Sequence, residues 1–354
     1  MPYEIHAIQT ESLSETNIKI NVLPHFNLNN ASVKQIKIKN TDKQRAVYRV
    51  DAKDKTFCLK KVYYNEGDLL FVYSAMEWLY RNGINVPRFL PTLNKSRFVK
   101  YSNMLFILTP WVEGEKCNYD NIKNIIDSSK NLAKMHKVSK KFTPIPGSSI
   151  KKGYDDIYIS TTKHFQKLLT CSNAAYIHKD KFSKLFLTNF DKNLQLAQLS
   201  IDVSSTINTN NLSTSLCHGD YVNKNIIFDD KGLLWVIDFD KCCYDYAAHD
   251  IGYFLRRLLK RDNTKWNVEV AVNCLKSYCE INPLTSDDLK YILVYLAFPQ
   301  KYWRISKDYY NNIKKCNKNS FYRLLEKAID KTDYHLQFVC ELVKYLKKDY
   351  EIKI

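Results

Sequence analysis

The sequence predicts an α+β protein that has a small N-terminal β-sheet lobe with one helix and a larger, mostly helical C-terminal lobe. Short segments that alternate polar and apolar residues dominate residues 1–108, whereas apolar residues at helical spacing dominate residues 115–354. Between them, residues 109–114 contain Pro110 and Gly114, which are typical of a connector and predict a hinge. At 354 residues, the chain is long enough for two lobes.

The N-terminal elements follow from residue alternation and from turn residues. Strands are predicted over residues 33–39, 46–50, 56–62, 98–100 and 104–108. A short helix is predicted over residues 14–23. A second helix, over residues 68–82, places Leu69, Val72, Met76 and Leu79 on one face and ends at Gly83. This order of elements describes a sheet with a single packed helix.

The C-terminal elements follow from helical spacing. Helices are predicted over residues 121–137, 268–279, 287–298, 308–315 and 334–347, and residues 154–200 are predicted to hold at least two more. Asp250 and Ser286 are predicted to cap helices, since short polar side chains accept hydrogen bonds from the first backbone amides. The aromatic residues in 298–303 are predicted to pack in the core, with a substrate-pocket lining as the alternative.

Composition indicates a soluble globular protein. The hydrophobic share is 45%, no apolar run is long enough to cross a bilayer, and the N-terminus lacks a secretory pattern. The ten cysteines form no Cys-x-x-Cys pair, which predicts reduced thiols and cytoplasmic synthesis. The net charge of +17 is spread along the chain, so we expect no specific nucleic-acid partner; nonspecific polyanion binding is the alternative.

The stretch from residue 216 to residue 240 carries most of the predicted chemistry. Two apolar segments flank Asp229-Asp230-Lys231-Gly232 and predict a β-hairpin with a two-residue loop at residues 230–231. In that register Asn225 lies opposite Val236, and Asp238 is its diagonal neighbour, roughly 7–8 Å away. Asp220 precedes the first strand at the same end. These three side chains are predicted to converge on Mg²⁺ held together with a phosphate, because Mg²⁺ prefers oxygen ligands.

Four residues in and around this stretch have predicted roles. Asp220 is the candidate general base, since a carboxylate within hydrogen-bond reach accepts an alcohol proton during phosphoryl transfer. His218 is expected to brace its loop. Asp250 either orients that loop or only caps its helix. Lys60 ends an apolar strand of the small lobe, where it either holds nucleotide phosphates or is a solvated strand lysine.

These motifs together resemble a known family. His218-Gly219-Asp220 with Asn225 and Val236-Ile237-Asp238-Phe239-Asp240 resembles the aminoglycoside phosphotransferase and choline kinase superfamily. The match is closest to its branch of CotS-like spore coat proteins of endospore-forming Firmicutes, and it covers about residues 14 to 330. That branch is indicated by Cys58-Leu59-Lys60, Ser74-Ala75-Met76-Glu77, Cys217-His218-Gly219-Asp220-Tyr221, His249-Asp250, Leu255-Arg256-Arg257 and Phe298-Pro299-Gln300-Lys301-Tyr302-Trp303.

The resemblance implies a bilobal protein-kinase-like fold that binds ATP and Mg²⁺. It implies that Lys60 contacts phosphates and that Asp220 is the catalytic aspartate. It further implies that Asn225 and Asp238 are magnesium ligands, and that the hinge meets adenine through backbone groups, with Thr109, Trp111 and Val112 as the hinge residues concerned. The acceptor would be a hydroxyl of a small molecule or coat component. The protein would be made in the mother cell, join the spore coat and meet other coat proteins there, with no membrane partner.

Two departures from the family pattern leave an alternative open. The turn at residues 41–46 has no glycine, although phosphate-cradling loops use glycine for close backbone approach. The helix position where the family carries a glutamate holds Val72, so Lys60 has Asp68 or Glu77 as candidate acid partners. The alternative function is a structural or assembly protein of the spore coat on a kinase scaffold that is weak in catalysis or inactive.

Overall fold

The computed structural model describes residues 11–39 and 45–352, and these residues form two compact units. The first unit comprises Met1–Cys117, Lys141–Lys151 and Asn223–Cys242, and the second comprises Asn118–Lys140, Lys152–Val222 and Cys243–Ile354. The predicted α+β organisation is confirmed, with an antiparallel sheet near the N-terminus and a mostly helical remainder. The lobe boundary at residues 109–114 stays a prediction.

The first unit contains a five-stranded antiparallel sheet. Its strands are β1 (Ser32–Lys39), β2 (Arg45–Ala52), β3 (Lys55–Val62), β4 (Val99–Tyr101) and β5 (Met104–Pro110), in the order β1-β2-β3-β5-β4. The five predicted strands are therefore confirmed. Strand β5 continues through Pro110, so the first two residues of the predicted hinge lie in the sheet. Most of the glycine-free turn, residues 41–44, lies outside the described residues.

The helices of the first unit are α1 (Glu15–Asn21), which Ser14 caps, and α2 (Glu66–Arg81). Helix α2 begins after Asn65, whose side chain accepts a 2.9 Å hydrogen bond from the amide of Asp68. Its four predicted core residues, Leu69, Val72, Met76 and Leu79, are all buried, as helical spacing requires. Phe71 and Trp78 of α2 also pack against Phe142.

The first unit also holds a three-stranded sheet of β6 (Glu115–Lys116), β8 (Ile226–Phe228) and β9 (Leu234–Val236). The predicted hairpin is confirmed, but its predicted register is wrong by one residue: Ile226, not Asn225, lies opposite Val236. The Asp229 carboxylate accepts hydrogen bonds from the amides of Lys231 and Leu233, at 3.0 and 2.8 Å. These bonds, with Gly232 at a φ of 74°, close a loop one residue longer than predicted.

The second unit contains one two-stranded sheet, β7 (Thr214–Cys217) with β10 (Cys243–Tyr246), and otherwise helices. These are α3 (Ile122–Ser139), α4 (Ile157–His178), α5 (Lys181–Thr188), α6 (Phe190–Ser204), α7 (Ala247–Leu259), α8 (Val268–Cys279), α9 (Ser286–Ala297), α10 (Gln300–Asn311), α11 (Lys318–Ile329) and α12 (Thr332–Asp349). Phe298, Tyr302 and Trp303 lie in its core, so the core-packing interpretation of these aromatic residues is confirmed.

Three predicted helix boundaries in the second unit are corrected. Tyr246 is the N-cap of α7, so Asp250 lies inside the first turn and does not cap it. Thr285, not Ser286, caps α9, because Thr285 and Asp288 form a reciprocal capping box. The helix predicted over residues 308–315 instead spans α10, since the aromatic residues before Asp308 are helical.

Two predictions from composition can be compared with the structure. None of the ten cysteines forms a disulfide bond within the described residues, as expected for reduced thiols. Among the described residues, every helix is too short or too polar to span a bilayer.

Candidate functional site

Lys60 lies at the centre of a cluster of charged side chains within the first unit. Its ammonium donates to Oδ1 of Asp238 at 2.6 Å and to Oδ1 of Asp240 at 2.7 Å. Burial by itself lowers the pKa of Lys60, but the charges of Asp240 and Asp238 and their hydrogen bonds outweigh burial and raise that pKa. Lys60, whose side chain is 15% exposed, is therefore not a solvated strand lysine but a cation shared by two carboxylates.

The acid partner of Lys60 is neither of the two helix residues that the sequence offered. Glu77 instead binds Arg81 at 2.9 Å and Arg88 at 2.7 and 3.0 Å. The partner that sequence analysis missed is Asp240, only 4% exposed, two residues after Asp238. The sequence feature that could have identified Asp240 is the second acid of the motif Ile237-Asp238-Phe239-Asp240. This motif has two carboxylates close together directly after a strand.

Asp240 is surrounded by further cationic and hydroxyl groups of the first unit. Tyr64 donates to its Oδ1 at 3.3 Å, and a guanidinium nitrogen of Arg45 lies 3.7 Å from its Oδ2. Lys151 donates to its backbone carbonyl at 2.8 Å. Burial and the charge of Asp240 raise the pKa of Tyr64 well above its usual value, so this phenol stays protonated as a donor. Three cations therefore lie around one buried carboxylate.

Asn225 and Asp238 are the two residues predicted to hold Mg²⁺. Both lie at the same end of the β8–β9 hairpin, where the amide of Ile237 donates to the carbonyl oxygen of Asn225 at 2.9 Å. Asp238 has a left-handed backbone with a φ of 67°, a conformation that aspartate adopts more readily than bulky residues. An amide and a carboxylate oxygen fit a hard cation such as Mg²⁺.

The predicted hinge residues continue from β5. Thr109 pairs with Cys58 in the sheet and is buried, while the amide of Trp111 donates to the carbonyl of Thr56 at 3.0 Å. The guanidinium of Arg49 lies 5.3 Å from the centre of the Trp111 ring. A cavity of about 540 Å³ in this unit is lined by Trp111, Val112 and residues of the β8–β9 hairpin and of the segment after α2, including Phe89 and Trp235.

Asp220 lies in the second unit, on the segment that follows β7. Its backbone amide donates to Nδ1 of His218 at 3.2 Å, so His218 contacts its own loop. Oδ1 of Asp220 accepts a 2.9 Å hydrogen bond from the hydroxyl of Tyr253 on α7, which in turn accepts one at 3.0 Å from Arg257. These two consecutive hydrogen bonds were not predicted from the sequence, because only the fold packs α7 beside the loop.

Asp250 binds the backbone of the same loop. Its Oδ2 accepts from the amide of His218 at 2.6 Å, and its Oδ1 accepts from the amide of Gly219 at 3.0 Å. Nε2 of His136 lies 3.4 Å from the same carboxylate, and Nδ1 lies 2.7 Å from the hydroxyl of Tyr278. His136 is therefore a satisfied core histidine. These contacts suit the role of orienting the loop.

Removing the Asp250 carboxylate is expected to destabilise the second unit. In Asp250→Ala, two buried amides lose their acceptor, which costs about 3 kcal/mol in the free energy of unfolding, measured by urea denaturation. Burial raises the pKa of Asp250, but its hydrogen bonds and the charge of His136 outweigh burial and lower that pKa. The stabilisation is thus present above the unfolded-state pKa, about 3.9, and is lost as pH falls through the lower folded-state pKa. Equal stability of mutant and wild type at pH 7 would contradict this expectation.

The predicted site residues are divided between the two units. Lys60, Thr109, Trp111 and Val112 lie in the first unit together with Asn225 and Asp238. His218, Asp220 and Asp250 lie in the second unit, and the chain passes from one unit to the other between Val222 and Asn223. The convergence of Asp220 with Asn225 and Asp238 stays a prediction.

Comparison with characterised proteins gives two similar homoserine kinases. The chain is 24% identical over 230 residues to the homoserine kinase of Bartonella henselae, covering 65% of this chain and 66% of that protein. It is 21% identical to the homoserine kinase of Bartonella tribocorum over the same lengths. The chain thus spans just under two thirds of the length of these relatives.

Solved structures show the fold. The structure matches an aminoglycoside phosphotransferase from Alicyclobacillus acidocaldarius with a TM-score of 0.78 at 17% identity, covering 92% of this chain and 95% of that one. It matches a spectinomycin phosphotransferase, solved with ADP and spectinomycin, with a TM-score of 0.63 at 16% identity over 94% and 99%. These likenesses confirm the predicted kinase-like fold. The model of the phosphotransferase enzyme family matches residues 38–275, and the chain belongs to that family.

Proposed function

We propose that this protein is a magnesium-dependent phosphotransferase that moves the γ-phosphate of ATP to a hydroxyl group of a small molecule. The observation that carries the proposal is the pairing of Lys60 with Asp238 and Asp240 in the first unit, at 2.6 and 2.7 Å. Asp238 would be a ligand of the bound metal ion, and the ammonium of Lys60, which lies between the two carboxylates, would then be placed to contact a phosphate. Membership of the phosphotransferase family supports the same chemistry.

The residues of the first unit suit Mg²⁺ and ATP. Asn225 and Asp238 would hold the ion, which neutralises charge on the phosphates when bound. Lys60 would contact the phosphates, with Asp240 keeping its ammonium in place. Backbone groups at Thr109, Trp111 and Val112 would meet the adenine ring.

The transfer itself requires a base. Asp220 takes the proton of the acceptor hydroxyl while that oxygen forms a bond to the γ-phosphorus. The bond between the γ-phosphorus and the oxygen that links it to the β-phosphate breaks, and ADP leaves with that oxygen. His218 and Asp250 are positioning residues in this proposal, because they hold the loop of Asp220 through its backbone.

Nucleotide binding tests the proposal without knowledge of the acceptor. We expect ATP with Mg²⁺ to raise the melting temperature of the wild type by several degrees, since a ligand at a hundredfold excess over its Kd stabilises by about 2.7 kcal/mol. ATP with EDTA should give a smaller shift, and Asp238→Ala should remove the difference between the two. An exposed acid of the same hairpin provides the matched control, Asp230→Ala. A melting temperature unchanged by ATP and Mg²⁺ would overturn the proposal.

We further propose that the protein acts in the spore coat, after synthesis in the mother cell. This assignment is supported by the CotS-like motifs and is tested by fractionating spores and probing the coat extract with an antibody. A structural or assembly function on a kinase scaffold is the alternative, and the glycine-free turn at residues 41–46 favours it. Coat assembly that survives Asp238→Ala, together with no response to nucleotide, would support that alternative.

A further inference from the structure

One face of the second unit carries a group of cations that the proposed function has not used. We name these residues the α7 cationic cluster: Arg256, Arg257, Lys260, Lys301 and Arg304. Arg256 and Arg257 lie in α7, and Lys260 is its C-cap. Lys301 and Arg304 lie in α10. Among the described residues, no carboxylate lies within ion-pairing distance of any of these five side chains. The nearby acid Asp262 is bound by Lys331. The cluster therefore carries a net positive charge, which Asp220 near Arg257 and Asp262 near Lys301 offset only in part.

Arg256 is the best-defined member of the cluster. Gly252 lacks a side chain, and a Cβ there would meet the Tyr295 ring at 2.8 Å, so only glycine lets this ring lie against α7. The guanidinium of Arg256 lies 4.0 Å from the centre of the same ring. Nε of Arg256 is buried and has no hydrogen-bond partner in the described part of the chain. Because this Nε is closed to solvent, a bound anion would instead accept charge-assisted hydrogen bonds from the other guanidinium nitrogens of Arg256, whose side chain is partly exposed.

The positive charges of the cluster also lower pKa values within it. Burial lowers the pKa of Lys260 to about 8, and the charges of Arg257, Arg256, Lys301 and Arg304 add to this effect. Burial likewise lowers the pKa of Arg256, and Arg304 contributes to the decrease. An anion in the cluster would relieve this repulsion.

The cluster is connected to the candidate base. Arg257 donates to the hydroxyl of Tyr253, and Tyr253 donates to Oδ1 of Asp220, so two hydrogen bonds of 3.0 and 2.9 Å link the cluster to Asp220. All of these residues belong to the second unit. A molecule whose hydroxyl reaches Asp220 would thus have the cluster beside it.

We propose that the α7 cationic cluster binds an anionic group, a carboxylate or a phosphate, on the molecule whose hydroxyl group is phosphorylated. This inference rests on the proposed function and adds the chemical class of the acceptor, a hydroxy acid or a phosphorylated alcohol. A polycationic acceptor such as an aminoglycoside is disfavoured, because five cations would repel it.

Binding of simple anions tests the proposal. We would titrate inorganic phosphate and glycerate against the whole chain by calorimetry, with choline and glycerol as cationic and neutral comparisons. The Lys60→Met variant removes the phosphate-binding lysine proposed for ATP, and anion binding should persist in it. Arg256→Gln and Arg257→Gln should each weaken anion binding about tenfold or more, as loss of a charge-assisted hydrogen bond predicts. Arg323→Gln, which removes an exposed arginine of the same unit, should leave binding unchanged.

Each outcome decides for or against the cluster. Failure of both anions to bind the wild type would overturn the proposal. Anion binding that Arg323→Gln weakens as much as Arg256→Gln does would also overturn it, because the attraction would then be a general property of the surface. Anion binding that is lost in Lys60→Met would assign the anion to the nucleotide phosphates and overturn it too. The melting shift with ATP and Mg²⁺ separates the two proposals. A normal shift in a wild type that binds neither anion contradicts only the acceptor class, whereas Arg256→Gln is expected to keep the normal shift while its anion binding weakens.

Discussion

Replacing Asp220 with asparagine is expected to lower kcat by about 10²- to 10⁴-fold, the usual contribution of a general base. Asparagine keeps an oxygen that accepts the hydrogen bond from Tyr253 but takes no proton from an alcohol. Asp220 is buried, and the near-identical shape of asparagine avoids a cavity. The rate is measured as ADP release with saturating ATP and Mg²⁺.

The same variant separates loss of catalysis from loss of structure. The urea midpoint of unfolding should be the same for Asp220→Asn as for the wild type, because the loop remains bound to Asp250. The variant should also keep the increase in melting temperature that ATP and Mg²⁺ cause. Asp230→Asn, an exposed carboxylate change in the hairpin loop, is the control and should keep full activity. Wild-type ADP release by Asp220→Asn would contradict the role of Asp220 as the base.

Replacing Lys60 with methionine is expected to affect both activity and stability. The change leaves the carboxylate of Asp240, which is 4% exposed, without its closest cation. Breaking a buried ion pair from one side costs about 3–5 kcal/mol, and we expect the lower end because Arg45 lies 3.7 Å from the same carboxylate. Urea denaturation measures this loss, and the melting shift with ATP and Mg²⁺ should decrease in the same variant.

A second substitution identifies the partner of Lys60. Lys60→Met combined with Asp240→Asn should regain much of the lost stability, because the uncompensated charge is gone, but should not regain activity. Glu77→Gln, which removes the helix glutamate held by Arg81 and Arg88, should change stability by about 1 kcal/mol or less, since both arginines are exposed. Equal destabilisation by Glu77→Gln and Lys60→Met would instead indicate the helix acid as the partner.

Local patterns were sufficient to predict the elements of the first unit. Alternation along β1 to β3 and helical spacing in α2 are properties of a few consecutive residues, and the structure confirms both. The hairpin was also predicted, but not its register. The Asp229 side chain binds two loop amides and lengthens the loop by one residue, and such side-chain competition with backbone pairing is not visible in apolar spacing.

Contacts between distant parts of the chain could not be predicted from the sequence. Lys60 and Asp240 are 180 positions apart, and nothing near Lys60 indicates which acid will reach it. Asp68 and Glu77 were the candidates because they lie on the predicted helix near Val72, the position where the family carries a glutamate. Tyr253 was missed in the same way, since its hydroxyl meets Asp220 only when α7 packs beside the loop. The site residues themselves were predicted from motif spacing and from the family resemblance.

The path of the chain between its two units limits how this protein can be divided. Residues 223–242 belong to the first unit although they follow two segments of the second, residues 118–140 and 152–222. A fragment ending at residue 117 would lack β8, the pairing partner of β6, and both carboxylates that neutralise Lys60. Neither unit is therefore a segment that gene fusion or recombination could transfer intact, and the two have to be inherited and synthesised as one piece.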